Sequence, residues 1–280
     1  MVTLYTGFSY HVNGSQFNPL KMKKSILYAS AIFLCFPLFA QNSYEQLKTF
    51  EKDFLSTDWP VVLKAKENIE NLGAAGIPDI IALLGDCRTL KLQNTTDLIY
   101  PGAERFYGHG QIIDYDIDVS CVRAGWLLEE LTFINFGFSG IHLSSDELDG
   151  FINRNFPDFV KSDENRKKIN DLDEEGQRKL IRDLSIEKAR IWWQLYSKQW
   201  NRLSALEQAL NGNDEKSQVK ALFYLRNGLT SCKGLTQKFY KSKLSGIVER
   251  LSKSETGRVS ENAKLIMLDS DFSWLDMKSM

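Results

Sequence analysis

His109 stands between Gly108 and Gly110, at the end of the run Asp97-Leu-Ile-Tyr-Pro-Gly-Ala-Glu-Arg-Phe-Tyr-Gly-His-Gly110. An imidazole changes charge near neutral pH, and flanking glycines let a ligand approach the backbone closely. Asp97, Glu104 or Asp114 would orient the ring. That is the equipment of a hydrolase, with His109, Asp97 and Asp114 as its catalytic candidates. The plainer reading, a loop histidine bonded to local backbone, is preferred, because no Gly-x-Ser-x-Gly, His-Glu-x-x-His or phosphate loop accompanies it.

Three carboxylates follow, Asp114, Asp116 and Asp118, alternating with apolar neighbours. In an extended segment they share one edge or face. An EF-hand loop counted from Asp114 requires Gly at its sixth position and Glu at its twelfth, where this chain has Val119 and Gly125. An irregular calcium site on Asp114, Asp116 and Asp118 is the one metal candidate, set against a solvated turn or an N-cap of the next helix by Asp118. No cofactor is called for. The same loop offers Tyr100, Arg105, Tyr107, His109 and Tyr115, and tyrosine and arginine are side chains that carry interface energy, so these five are the candidate binding residues.

A segment dense in glycine, tyrosine and proline avoids helix and suits a shaped loop. Residues 87–118 therefore read as one long insertion, too aromatic to be disordered. It runs into Val119 to Phe133, a nearly all-apolar helix around Trp126 broken by Arg123, Glu129 and Glu130. Ahead of the insertion, Ser43 to Leu55 has Tyr44, Leu47, Phe50 and Phe54 at helical spacing. Asp58 sits where an N-cap belongs, with Pro60 in the first turn. Val62, Ala65, Ile69 and Leu72 then form one face, which Gly73 ends. A second helix begins near Pro78, with Ile77, Ile80, Ile81 and Leu84 inward.

The stretch Trp59-Pro-Val-Val-Leu-Lys-Ala-Lys-Glu-Asn-Ile-Glu-Asn-Leu-Gly73, followed by Ile77-Pro-Asp-Ile-Ile-Ala-Leu-Leu-Gly-Asp86, resembles one HEAT repeat: a helix pair with Leu-Gly near the end of the first helix and Pro early in the second. The resemblance covers residues 59–86, with weaker echoes over 205–270, where Val219, Leu222, Phe223, Leu244, Ile247, Val248, Leu251, Val259, Ala263 and Ile266 repeat apolar stripes. It implies a mainly α fold, an irregular α-solenoid of HEAT-like helix pairs that presents a surface to a protein partner. Ser185 to Leu210 reads as one long helix bearing Trp192, Trp193, Tyr196 and Trp200, which suggests a cell-wall glycan face or, more simply, indoles packed between helices. Asp158 to Asp183 is charged and reads as a solvated helix or connector.

At the other end of the chain, Met22-Lys-Lys-Ser precedes the apolar run Ile26 to Phe39 and Ala40-Gln41, a basic segment, an apolar core and a small residue at a cleavage point. The run is shorter than the roughly 20 residues a membrane span needs. Expected boundaries are therefore an upstream extension at 1–21, a signal peptide at 22–40, and one helical domain at 41–280 that is periplasmic or secreted, with no membrane span after cleavage. Cleavage removes Lys21, Lys23 and Lys24 and no acidic residue, leaving a mildly acidic chain without a basic cluster, which excludes nucleic acid as a partner. Cys87, Cys121 and Cys232 remain. One disulfide with a free buried thiol, or three buried thiols, both fit. The balance points to an exported binding protein, an immunity-type inhibitor being one version, and away from an enzyme.

Overall fold

In the computed structural model, residues 48–103, 111–228, 230–268 and Leu275 are described. They belong to one compact unit, Tyr44–Met280. The expected signal peptide and upstream segment lie outside the described residues, as do Arg105, Tyr107 and His109.

Helical residues 48–54 (α1) carry Phe54 into the core. Asp58 then N-caps α2, Trp59–Asn71, with Pro60 in its first turn, where a missing N–H costs nothing. The Asp58 carboxylate takes no cap amide and instead accepts from Asn94 Nδ2 at 2.7 Å, while the Trp59 amide donates to the Gln93 carbonyl at 3.1 Å. Gly73, at φ +58°, takes the left-handed turn that ends the helix, and a 3-10 turn, Gly73–Gly76, leads to α3, Ile77–Leu83. Both α2 and α3 pack on α4, Ser120–Thr132, of which every residue except Glu130 is buried. Gly125 of α4 allows a 3-10 turn, Phe138–His142, to lie directly on the helix: a Cβ there would fall 2.2 Å from the Phe138 ring.

The insertion between α3 and α4 is ordered through its described residues. Two short parallel strands, β1 (Leu98–Ile99) and β2 (Gln111–Ile112), pair across it. Its base is closed by a Cys87–Cys121 disulfide and by a bridge from Thr89 to Val119. Val119, not Asp118, is the N-cap of α4.

The remainder is helical: α5 (Ser145–Asn155), α6 (Asp163–Asn170), α7 (Glu174–Tyr196), α8 (Arg202–Asn211), α9 (Glu215–Asn227), α10 (Gln237–Phe239), α11 (Ser245–Leu251) and α12 (Gly257–Leu268). A π-turn, Tyr240–Leu244, joins α10 to α11. The single helix expected over Ser185 to Leu210 is two. Asn201 adopts extended backbone and its side chain accepts from the Ser204 amide at 2.8 Å, so a new N-terminus forms in mid-pattern. The apolar spacing continues across this break, which is why periodicity alone hides it.

Apolar side chains gather in two clusters. The first joins α2, α3, α4, α5, the insertion and α7. The second joins α8, α9, α11 and α12, with Phe133 from the end of α4 reaching into it. The protein is thus mainly α, and among the described residues strand is confined to β1 and β2. No described helix is long and apolar enough to cross a membrane.

Candidate functional site

Helix α2 turns Leu63, Lys66, Glu67 and Glu70 to one side, at the three- and four-residue steps that share a helical face. Helix α9 does the same with Lys216, Val219, Lys220 and Phe223. The two faces wall a cleft of about 740 Å³ between the two apolar clusters. Trp126 and Glu130 of α4, Ser139, Arg202 of α8, Arg258 of α12 and the stretch from Gln111 to Tyr115 also line it.

Two buried ionic centres hold this cleft in shape. In the first, Lys66 Nζ lies 2.8 Å from Glu70 and 2.7 Å from Glu130, above the Trp126 ring at 4.9 Å. Burial alone would lower the Lys66 pKa, but Glu130 and Glu70 outweigh it and hold the ammonium well above the ordinary lysine range. Glu70 also accepts from Thr230 Oγ1 at 3.0 Å and faces Arg202 at 3.8 Å. Burial favours its neutral form, yet Lys66 and Arg202 keep it ionised, below the usual carboxylate range. Arg202 in turn donates to Thr230 Oγ1 at 2.8 Å and stacks on Tyr224, 4.5 Å from the ring centre.

The second centre is Glu129, fully buried. One carboxylate oxygen accepts the Phe136, Gly137 and Phe138 amides at 2.8, 2.8 and 3.2 Å. The other accepts Lys220 Nζ at 2.7 Å and Tyr115 Oη at 2.5 Å. Burial pushes its pKa up; Lys220 and these hydrogen bonds more than reverse that and set it below the usual range. A charge buried this deeply is tolerable only with such a full set of partners.

Lys216, one turn before Lys220, is held differently. Its ammonium donates to Ser139 Oγ and lies 5.3 Å from the Phe151 ring centre. Burial, with the field of Lys220, pulls its pKa below the ordinary lysine value against the opposing pull of Glu129.

The residues singled out from sequence are distributed as follows. Tyr115 lines the cleft and is buried, its hydroxyl committed to Glu129. Tyr100 is buried beside the insertion's base and donates to the Asp118 carboxylate at 3.0 and 3.2 Å. Asp97 is exposed just before β1, where its carbonyl accepts the Gln111 amide at 2.8 Å. Asp114 lies on the cleft, 3.4 Å from Arg258. Asp116 is half-buried, and Asp118 is buried and occupied by the Leu92 amide at 2.8 Å and Lys91 at 3.2 Å. The alternation thus places three carboxylates in three different settings, and among the described residues no group of three or more His, Cys, Asp or Glu side chains converges to hold a metal. The grouping of His109 with Asp97 or Asp114 lies outside the described residues.

Sequence reasoning did not find Lys66, Glu70, Arg202, Lys216 or Lys220. The one signal that pointed here was the interruption of an apolar helix by Glu129 and Glu130, since a charge inside an apolar run needs a partner somewhere. Trp192 and Trp193 pack against the first cluster with ring centroids 5.6 Å apart and planes tilted by 38°, and the exposed large apolar side chains on that part of α7 are Ile191, Leu195 and Tyr196. The chain matches no protein-family model, no curated protein and no solved structure.

Proposed function

We propose that the mature chain is an exported helical binding protein that receives a segment of a protein partner in the cleft between α2 and α9. The observation that carries this reading is the mouth of the cleft: Ile112 is 69% exposed and Phe223 49% exposed, both lining the same concavity. Large apolar side chains held in water beside a cleft favour association, because covering them recovers roughly 25 cal/mol per Å² of apolar surface. Beneath them, Lys66, Arg202 and Lys220 offset Glu70, Glu129 and Glu130, which suits a rigid platform better than proton transfer. The insertion contributes through β2 and Tyr115. An immunity-type inhibitor, which needs affinity and no chemistry, is one form of this function.

The α-solenoid of HEAT-like pairs belongs to the same proposal. Its support is the successive packing of α8 on α9 and α11 on α12, with α12 also against α9. Export is supported by the Cys87–Cys121 disulfide, a bond that persists in oxidising compartments. Affinity capture from the extracytoplasmic fraction, with the mature protein and with Ile112→Glu and Phe223→Glu as baits, tests the reading. Both substitutions fall on exposed side chains, so unfolding temperatures should stay near wild type while capture of a specific protein drops at least tenfold. A partner retained equally by all three baits overturns the cleft as the binding surface.

A further inference from the structure

Five cations line the cleft: Lys66, Arg202, Lys216, Lys220 and Arg258. Four have carboxylates within ion-pair distance: Glu70 and Glu130 for Lys66, Glu70 for Arg202, Glu129 for Lys220 and Asp114 for Arg258. Among the described residues Lys216 has none; its ammonium meets a hydroxyl, Ser139 Oγ, and an aromatic face. The neighbouring cleft carboxylate, Glu215, is exposed in the first turn of α9, where a negative charge already suits the helix terminus. Lys216 is thus the one cleft cation without a carboxylate at ion-pair distance among the described residues; Glu129, Asp114 and Asp214 act on it only from farther away. Val219 and Phe223 follow Lys216 along the same face of α9, so an apolar surface adjoins this ammonium.

We propose that Lys216 and Ser139 form a carboxylate-binding point, and that the partner segment entering the cleft presents an acidic side chain there with an apolar residue beside it against Val219 and Phe223. This rests on the reading of the cleft as a partner site and specifies its ligand. An incoming carboxylate gains a charge-assisted hydrogen bond from Lys216 and one from the Ser139 hydroxyl, which is buried and lines the cleft. The burial that weakens the Lys216 ammonium at present is offset once an anion sits against it.

The probes are the blocked dipeptides N-acetyl-Phe-Glu-amide and N-acetyl-Phe-Gln-amide, titrated into the mature protein by calorimetry or by nuclear magnetic resonance. The acid should bind at least tenfold more tightly than the amide. Lys216→Met should abolish that preference with little change for the amide, whereas Lys253→Met, an exposed charge on α11's trailing end, should leave both unchanged. Equal binding of acid and amide to the wild type overturns the proposal without any variant, so misfolding of Lys216→Met does not shield it. A preference that survives Lys216→Met in a folded variant overturns it as well. So does displacement of the acid by acetate at equal concentration, which would make the point a general anion site. If the preference holds and is lost with Lys216→Met, while partner capture ignores Phe223→Glu, the carboxylate point stands and the partner reading alone falls.

Discussion

Glu129 shows how much of this protein rests on single side chains. It joins α4 to the turn that carries Phe138, to Tyr115 of the insertion and to Lys220 of α9, so three parts of the fold meet on one carboxylate. Its pKa lies below the ordinary 4.5, which fixes the sign of its pH dependence. The stabilisation is fully present above the unfolded value and is lost as pH falls from about 4.5 through the folded one. Glu129→Gln keeps the shape, removes the charge and leaves Lys220 uncompensated. A loss of about 3–5 kcal/mol is expected at neutral pH, the size seen when one partner of a buried pair is removed. Urea denaturation at pH 7 and pH 3.5 checks it: the gap between wild type and variant should narrow at the lower pH. A gap of equal size at both would show that Glu129 acts by packing and not by charge. Arg123 is the companion case. Fully buried, it spends its guanidinium on the carbonyls of Ile117, Phe54, Ser56 and Leu90 at 2.7–3.0 Å, and burial draws its pKa down to about 10 despite the pull of Asp118.

Among the elements, the insertion most needs an explanation of its order, because short parallel strands of two residues contribute little by themselves. Its base supplies the answer. The Cys87–Cys121 disulfide ties its first residue to the first turn of α4, and Arg123 grips its backbone from two residues further on. A cross-link closing 34 residues is expected to contribute about 3–4 kcal/mol, chiefly by restricting the unfolded chain. Cys87→Ser paired with Cys121→Ser should therefore lower stability by that amount. It should also speed amide hydrogen exchange at Ile113 and Tyr115 while leaving α11 and α12, which belong to the other apolar cluster, close to wild type. Unchanged exchange at Ile113 and Tyr115 would mean that Arg123 and the Thr89–Val119 bridge suffice to close the loop.

At the scale of the whole molecule, two apolar clusters meet along the cleft, and beside the apolar contacts of Phe133 and Trp200 polar links join them: Glu129 with Lys220, and Glu70 with Arg202 and Thr230. Polar links between two apolar bodies specify one relative arrangement, since each charge is costly unless it meets its own partner. This scale also carries the expectation about export. From Lys23-Lys24, the apolar run and Ala40, the exported form is expected to begin at or near Gln41. N-terminal sequencing of protein from the extracytoplasmic fraction checks it, and a terminus at Met1 or Met22 would refute cleavage.

Helix α2, with Asp58 before it, Pro60 within it and Gly73 after it, was readable because caps and apolar faces act over a few residues. The same local rules made α4 legible as an apolar helix and the insertion as non-helical. They failed at Trp200 and Asn201, where an apolar pattern runs unbroken through a helix break into α8. They also could not assign partners to charges. Lys220 meets Glu129 across 91 positions and Thr230 meets Glu70 across 160, and periodicity contains no information on pairings at that range. A carboxylate in an apolar helix announces that a partner exists. Which cation it takes, and which one is left for a ligand, is decided only when long-range packing brings α2, α4 and α9 together, because burial is what makes an unmatched charge costly.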